Sequence, residues 1–343
     1  MAWELVGRVP NPWGRVPVTG GGQSVTPKVA EYMARIAERA TRRDCSSKRH
    51  HYVPQSYMRA WSSDGKRVRV LDTRNGIDGL RGIRDTCVRE NFYQMKDGGN
   101  SHHQAEAMLA VIDDETARLL RVLRDWTPGE DFDFEDFMSL AVVLAFQRNR
   151  TPQIRRYLEA IDDWQRQRAN QQMPTLTSTG FVSSLFGSAL TAADEHSTRQ
   201  LELWDDPRGR FITCDQPVQI TSDSPDALPD MISGKYLMWP ISPTRLLVLS
   251  QEINGEKVTH RIIGDAEVKR VRGVFIKGAE SAIIALPGDG NLPAGKRPKR
   301  PQLRVDCTPV DVKARKCRIR LAWGYGKETL DHACQPLCAM RSQ

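Results

Sequence analysis

Several stretches of this chain repeat their apolar residues with the period of a helix, and others alternate as a strand does. Thr26-Pro27 supplies a cap and a first-turn proline. Val29, Met33, Ile36 and Ala40 then recur at helical spacing, which predicts a helix through about Arg43. From about His103 to Arg124, the residues Met108, Val111, Ile112, Leu119 and Val122 make one stripe. A further helix begins near Phe134 with Phe137, Leu140, Ala141 and Leu144 on its apolar face. Thr151-Pro152 interrupts it or restarts a helix running towards Gln171. Residues 174–190 read as a loop followed by a short helix, and residues 265–280 as a helix.

The strand signals lie on either side of these helices. Arg67 to Asp72 alternates between the turn signals Asp64-Gly65 and Asn75-Gly76. Phe211 to Ile220, Leu237 to Trp239 and Leu246 to Ser250 are short apolar runs separated by Pro- and Asp-rich turns. The predicted class is α+β, with a helical middle segment and a β-rich C-terminal half. One main domain over residues 48–286 is expected. A flexible Gly/Pro-rich leader (1–27) and a helical extension (28–47) precede it, and a basic, Cys-containing tail (287–343) follows.

Composition narrows the classes. No apolar run approaches the roughly 20 residues that cross a bilayer, and no apolar signal region stands at the N-terminus, so no membrane and a cytoplasmic location are expected. The net charge of +8 favours an anionic partner such as nucleic acid. The segment from Lys296 to Arg320 holds ten basic and two acidic residues and supplies the whole surplus, so its solvated reading is a basic extension unrelated to any active site. Seven scattered cysteines argue against a disulfide framework. The cluster His332, Cys334 and Cys338 matches no common zinc spacing. Walker, dinucleotide-fingerprint and nucleophile-elbow motifs are missing, which disfavours NTPase, Rossmann dehydrogenase and α/β-hydrolase readings.

Three polar stretches carry the candidate chemistry. Around His50-His51 an imidazole could ligate metal, act as base or donate to phosphate. On the 103–124 helix, His102, Glu106 and Asp113 fall within about 40° of one another, opposite the stripe, as a solvated face or as a line of metal ligands and acid–base groups. Glu115 falls within the stripe and needs a partner there. Gln147 and Arg148 continue an apolar face by one turn, with Arg150 at the turn beyond. They either close a buried pair with Glu115 or present donors to an anion. Asp215 sits just past a short strand, as a catalytic carboxylate or as a turn cap.

In their order, these stretches resemble the bacterial family named domain of unknown function 4238. The resemblance rests on His51-Tyr52-Val53-Pro54-Gln55 with Tyr57 and Trp61, on Asn91-Phe92-Tyr93, and on Glu106 with Asp113. It continues through Gln147 to Arg150-Thr151-Pro152, Thr213-Cys214-Asp215-Gln216-Pro217 and Pro240-Ile241-Ser242-Pro243, and covers roughly residues 48–285. Asp113, Cys214 and Gln216 stand where the family prefers Glu, Ser and Asn. The resemblance implies joint importance for His51, Glu106, Arg150 and Asp215, without naming a reaction.

The expected function is a hydrolase acting on a phosphate-containing substrate, a nuclease in a bacterial defence or toxin setting. His51, Glu106, Asp113 and Asp215 would supply the base or the ligands of a divalent metal, and Gln147, Arg148 and Arg150 would hold the anion. The alternatives are a non-catalytic module that binds nucleic acid or a nucleotide, and a purely structural polar core.

Overall fold

The computed structural model describes residues 26–43, 47–97, 100–169, 176–221, 234–252, 258–293, 302–311 and 316–324. The leader and the His332–Cys338 cluster lie outside the described residues. The class is α+β. The chain opens with helix α1 (Pro27–Thr41), followed by strand β1 (Arg49–His51) and the one-turn helix α2 (Gln55–Met58). Strands β2 (Arg67–Asp72), β3 (Asp78–Gly82), β4 (Val88–Glu90), β5 (Met95–Asp97) and β6 (Asn100–His102) come before the helical middle. That middle comprises α3 (Gln104–Asp125), α4 (Phe134–Asn149), α5 (Pro152–Ala169) and α6 (Ser178–His196).

The C-terminal half holds β7 (Gln200–Asp205), β8 (Thr213–Cys214), β9 (Gln219–Thr221), β10 (Tyr236–Pro240), β11 (Arg245–Ser250) and β12 (Val258–Ile262), then α7 (Asp265–Gly278) and β13 (Ala282–Ala285). Last come β14 (Gln302–Asp311) and β15 (Lys316–Gly324), an antiparallel hairpin inside the stretch expected to be a basic, Cys-containing tail. Strands thus flank the helical middle on both sides.

A five-stranded sheet in the order β12-β7-β11-β10-β9 divides the interior. Its pairs are antiparallel except β12 with β7. Strand side chains alternate between faces. Leu247 and Leu249 of β11 therefore join one core with the helices, while Leu246 and Val248 join a second core with Phe275 of α7 and Ile283 of β13. A four-stranded sheet, β3-β2-β13-β8, closes that second core.

Three sequence expectations change here. Phe211–Ile220 is two strands in different sheets, because Pro217 cannot donate to a ladder and the chain turns there. Residues 178–196 form a full helix, capped by the Thr177 hydroxyl accepting the Gly180 N–H at 3.0 Å. On α3 the buried line runs through Leu109, Ile112, Thr116, Leu119 and Leu123, so Val122 is left outside at 38 % exposure. Helix α4 is buried on every side from Met138 to Arg148, packed between α3 and α6, which explains its weak periodicity. Among the described residues no helix is long and apolar enough to cross a membrane.

Candidate functional site

The polar stretches meet where β1, α3 and the C-terminal end of α4 come together. β1 pairs antiparallel with β4, with His50 opposite Arg89. Alternation along β1 sends His50 inward, 3 % exposed, and His51 the other way. His50 Nδ1 accepts the Tyr93 backbone N–H at 2.9 Å, which assigns the ring proton to Nε2. That nitrogen lies 2.9 Å from both the Ser47 carbonyl and Glu106 Oε2. The Tyr93 ring stacks on the imidazole at 5.6 Å between centroids.

Glu106 lies in the first turn of α3. His103, at the N-cap position of that helix, brings a second imidazole whose Nδ1 lies 3.9 Å from the same Oε2; that nitrogen is buried without a hydrogen-bond partner, while the side chain as a whole is 39 % exposed. One carboxylate oxygen thus lies beside a buried imidazole and a half-exposed one. Two turns further along α3, Asp113 pairs with Arg150 Nη1 at 2.6 Å. Burial holds the Asp113 carboxyl above its ordinary value, with the Arg150 guanidinium opposing the rise.

Arg150 itself is 1 % exposed. Its Nε and Nη2 donate to Gln147 Oε1 at 3.1 and 2.6 Å, Gln147 Nε2 donates to the Tyr52 carbonyl at 3.0 Å, and the Arg150 carbonyl accepts the Tyr93 hydroxyl at 2.7 Å. Arg148 is buried with Nη1 3.4 Å from the Val218 carbonyl. The three side chains expected to hold an anion therefore donate inward, because the end of α4 is enclosed on all sides.

Asp215 is fully buried. It accepts the backbone N–H groups of Glu280 (2.8 Å) and Ser281 (2.7 Å) and the Ser281 hydroxyl (2.5 Å), fixing the link between α7 and β13. Burial raises its carboxyl to about 6. The adjoining Gln216 accepts the Thr151 hydroxyl and donates to the Arg148 carbonyl at 3.2 Å, tying this loop to the joint between α4 and α5.

Of the expected residues, Glu106, Asp113, Gln147 and Arg150 are brought together. His51 points elsewhere, its Nε2 3.1 Å from the Arg84 carbonyl, and burial lowers its imidazole. Glu115 is paired with Arg39 and Arg118, not with Arg148. His102 lies in β6, ahead of the start of α3. Missing from the expected set were His50 as the inward imidazole, His103 and Tyr93. Strand alternation signals the first, and the i,i+3 spacing to Glu106 signals the second.

His50, His103 and Glu106 are metal-ligand types, but the direct His50–Glu106 contact fills the space between them. Among the described residues, no group of three or more His, Cys, Asp or Glu side chains could hold a metal ion. The expected divalent cation therefore finds no ligand set there. The arrangement is suited to proton transfer, with a carboxylate able to orient one imidazole and to stabilise its charged form.

Compared with known families, residues 49–289 match one described as Protein of unknown function (DUF4238). No curated protein and no solved structure matches the chain.

Proposed function

We propose that this chain, which belongs to the DUF4238 family, is an acid–base hydrolase acting on a phosphate-containing substrate. The observation that carries the reading is the array His50–Glu106–His103, in which one carboxylate oxygen lies 2.9 Å from a buried imidazole and 3.9 Å from a half-exposed one. In this mechanism His103 accepts a proton from water as the water oxygen bonds to phosphorus. Glu106 stabilises the imidazolium, and His103 returns the proton to the departing oxygen as its bond to phosphorus breaks. His50 and Tyr93 are positioning residues for Glu106.

Arg89 is the side chain for the anionic group. It stands opposite His50 across the β1–β4 ladder, is exposed, and has its guanidinium 5.6 Å from the Phe92 ring centroid. Nucleic acid is the first substrate to test, because its phosphodiesters match this chemistry and the chain is basic. Gln147, Arg150, Asp215 and Asp113 favour a structural share of the motifs: their donors and acceptors are mostly spent inside the fold.

The test is hydrolysis of bis(p-nitrophenyl) phosphate, single-stranded RNA and DNA by the full chain, beside Glu106→Gln and His103→Asn. Turnover in the wild type that falls at least about a hundredfold in both variants, with melting temperatures unchanged, supports the reading. Equal rates in Glu106→Gln would sink it. Tight RNA or DNA binding without turnover would favour the binding module instead.

A further inference from the structure

Arg89 shares its aromatic support with a second cation. Phe92 follows β4 and is 3 % exposed. The Arg89 guanidinium lies 5.6 Å from the Phe92 ring centroid, and the guanidinium of Arg155 on α5 lies 5.5 Å from the same point. The two charges are therefore no farther apart than about twice that distance. Arg155 is also 5.3 Å from the centroid of Phe181, which is fully buried, so two rings hold its side chain in place.

Like charges this close repel, and an anion between them would remove that cost. The protein supplies one acid for the pair. Glu159 accepts from Arg155 Nε at 3.0 Å, which leaves both Nη groups of Arg155 without a hydrogen bond or ion pair among the described residues. Arg89 is exposed and makes neither contact among them. Glu90, the next residue of β4, falls on the other face of the ladder, opposite Arg49, and Arg49 is paired with Asp85. The free donors of both forks suit phosphate oxygens.

Stacked rings join this pair to the Glu106 array. The Phe92 and Tyr93 centroids are 5.0 Å apart, Tyr93 and His50 are 5.6 Å apart, and His50 reaches Glu106 at 2.9 Å. The Arg155 side chain is 24 % exposed, so its fork is reachable from solvent but recessed. A phosphate monoester engages one fork only. A nucleic-acid strand carries a phosphate every 3.4 Å or so along its axis, which lets neighbouring phosphates meet both. A duplex is stiff over roughly 150 base pairs, whereas a single strand bends into a recess.

We infer, resting on the hydrolase reading above, that Arg155 is a specificity-determining residue and that the substrate is a single-stranded nucleic acid. Arg89 meets the scissile phosphate and Arg155 the neighbouring one. Fluorescence anisotropy of the full chain with a labelled single-stranded oligonucleotide, measured across a range of salt concentrations, tests this. Arg155→Gln should flatten the slope of log affinity against log salt by about 0.7, the value of one phosphate contact on a single strand, and Arg155→Lys should restore it. A mononucleotide should bind wild type and Arg155→Gln alike, and a duplex should bind wild type more weakly than the single strand does. If Arg155→Gln lowers the melting temperature, Arg89→Gln, at an exposed position, should give the same change of about 0.7 in slope. Hydrolysis by the same samples separates the two ideas. The expected slopes without turnover keep the paired grip and remove the hydrolase, while Glu106-dependent turnover with an unchanged slope in Arg155→Gln keeps the hydrolase and overturns the grip. No binding of the single strand, or a duplex bound as tightly, would also overturn the assignment.

Discussion

Asp215 and His196 show how two buried titratable side chains pull stability in opposite directions with pH. Burial raises Asp215 from 3.8 to about 6, so between those values the folded state holds a proton that the unfolded chain has released. Stability therefore falls as pH rises from about 4 to 6, by about 3 kcal/mol for this residue. His196, whose Nδ1 is 3.4 Å from the Ala141 carbonyl, is lowered from 6.5 to about 3 by burial and then by Arg199. There the unfolded chain holds the extra proton, and stability rises with pH across that window. Replacing Asp215 by Asn removes the falling contribution, so the slope of unfolding free energy against pH between 4 and 6 should turn more positive. Urea titrations at pH 4, 5 and 6 check this. An unchanged slope would mean that Asp215 is ionised throughout.

At the scale of elements, α1 belongs to the packed fold even though it precedes the family span. Val29, Tyr32, Met33, Ile36 and Ala40 are buried against α3 and α4. Arg39 and Arg43 reach Glu115 and Asp114 of α3, and Thr26 donates to Asp194 of α6 at 2.7 Å. Ile36 is 1 % exposed, so Ile36→Ala should destabilise by about 2–4 kcal/mol, read from the shift in the denaturant midpoint. A change below about 0.5 kcal/mol would show that α1 undocks freely.

α1 was legible in sequence because one face is apolar and the rest polar. α4 was legible only as a helix, since burial on all sides erases the periodicity that would have named its neighbours. The site divided in the same way. Glu106 and Asp113 follow from helical spacing alone. The choice of His50 over His51, the turn of Arg150 towards Asp113 and the capping role of Asp215 depend on contacts between residues far apart in the chain. Spacing cannot supply these.

For the whole molecule, the five-stranded sheet is common to both cores, since successive residues of β11 are buried on opposite faces. The two cores should then unfold together. Leu247→Ala opens a hole on the helical side and Val248→Ala one on the α7 side, and both residues are fully buried. Each should lower one shared melting transition, by about 2–5 kcal/mol for Leu247 and less for Val248. Two separated transitions in either variant would show that the cores fold independently.

The three-residue ladder of β1 against β4 has a consequence for how this protein tolerates insertions and deletions. Its two adjacent imidazoles are chemically alike, and only parity along the strand decides which one reaches Glu106. Losing or gaining a single residue just before the ladder could leave every motif readable and yet present the wrong ring to the carboxylate. Spacing in this short stretch is therefore information of the same rank as residue identity. A comparison that scores only identity would count such a frameshifted copy as intact.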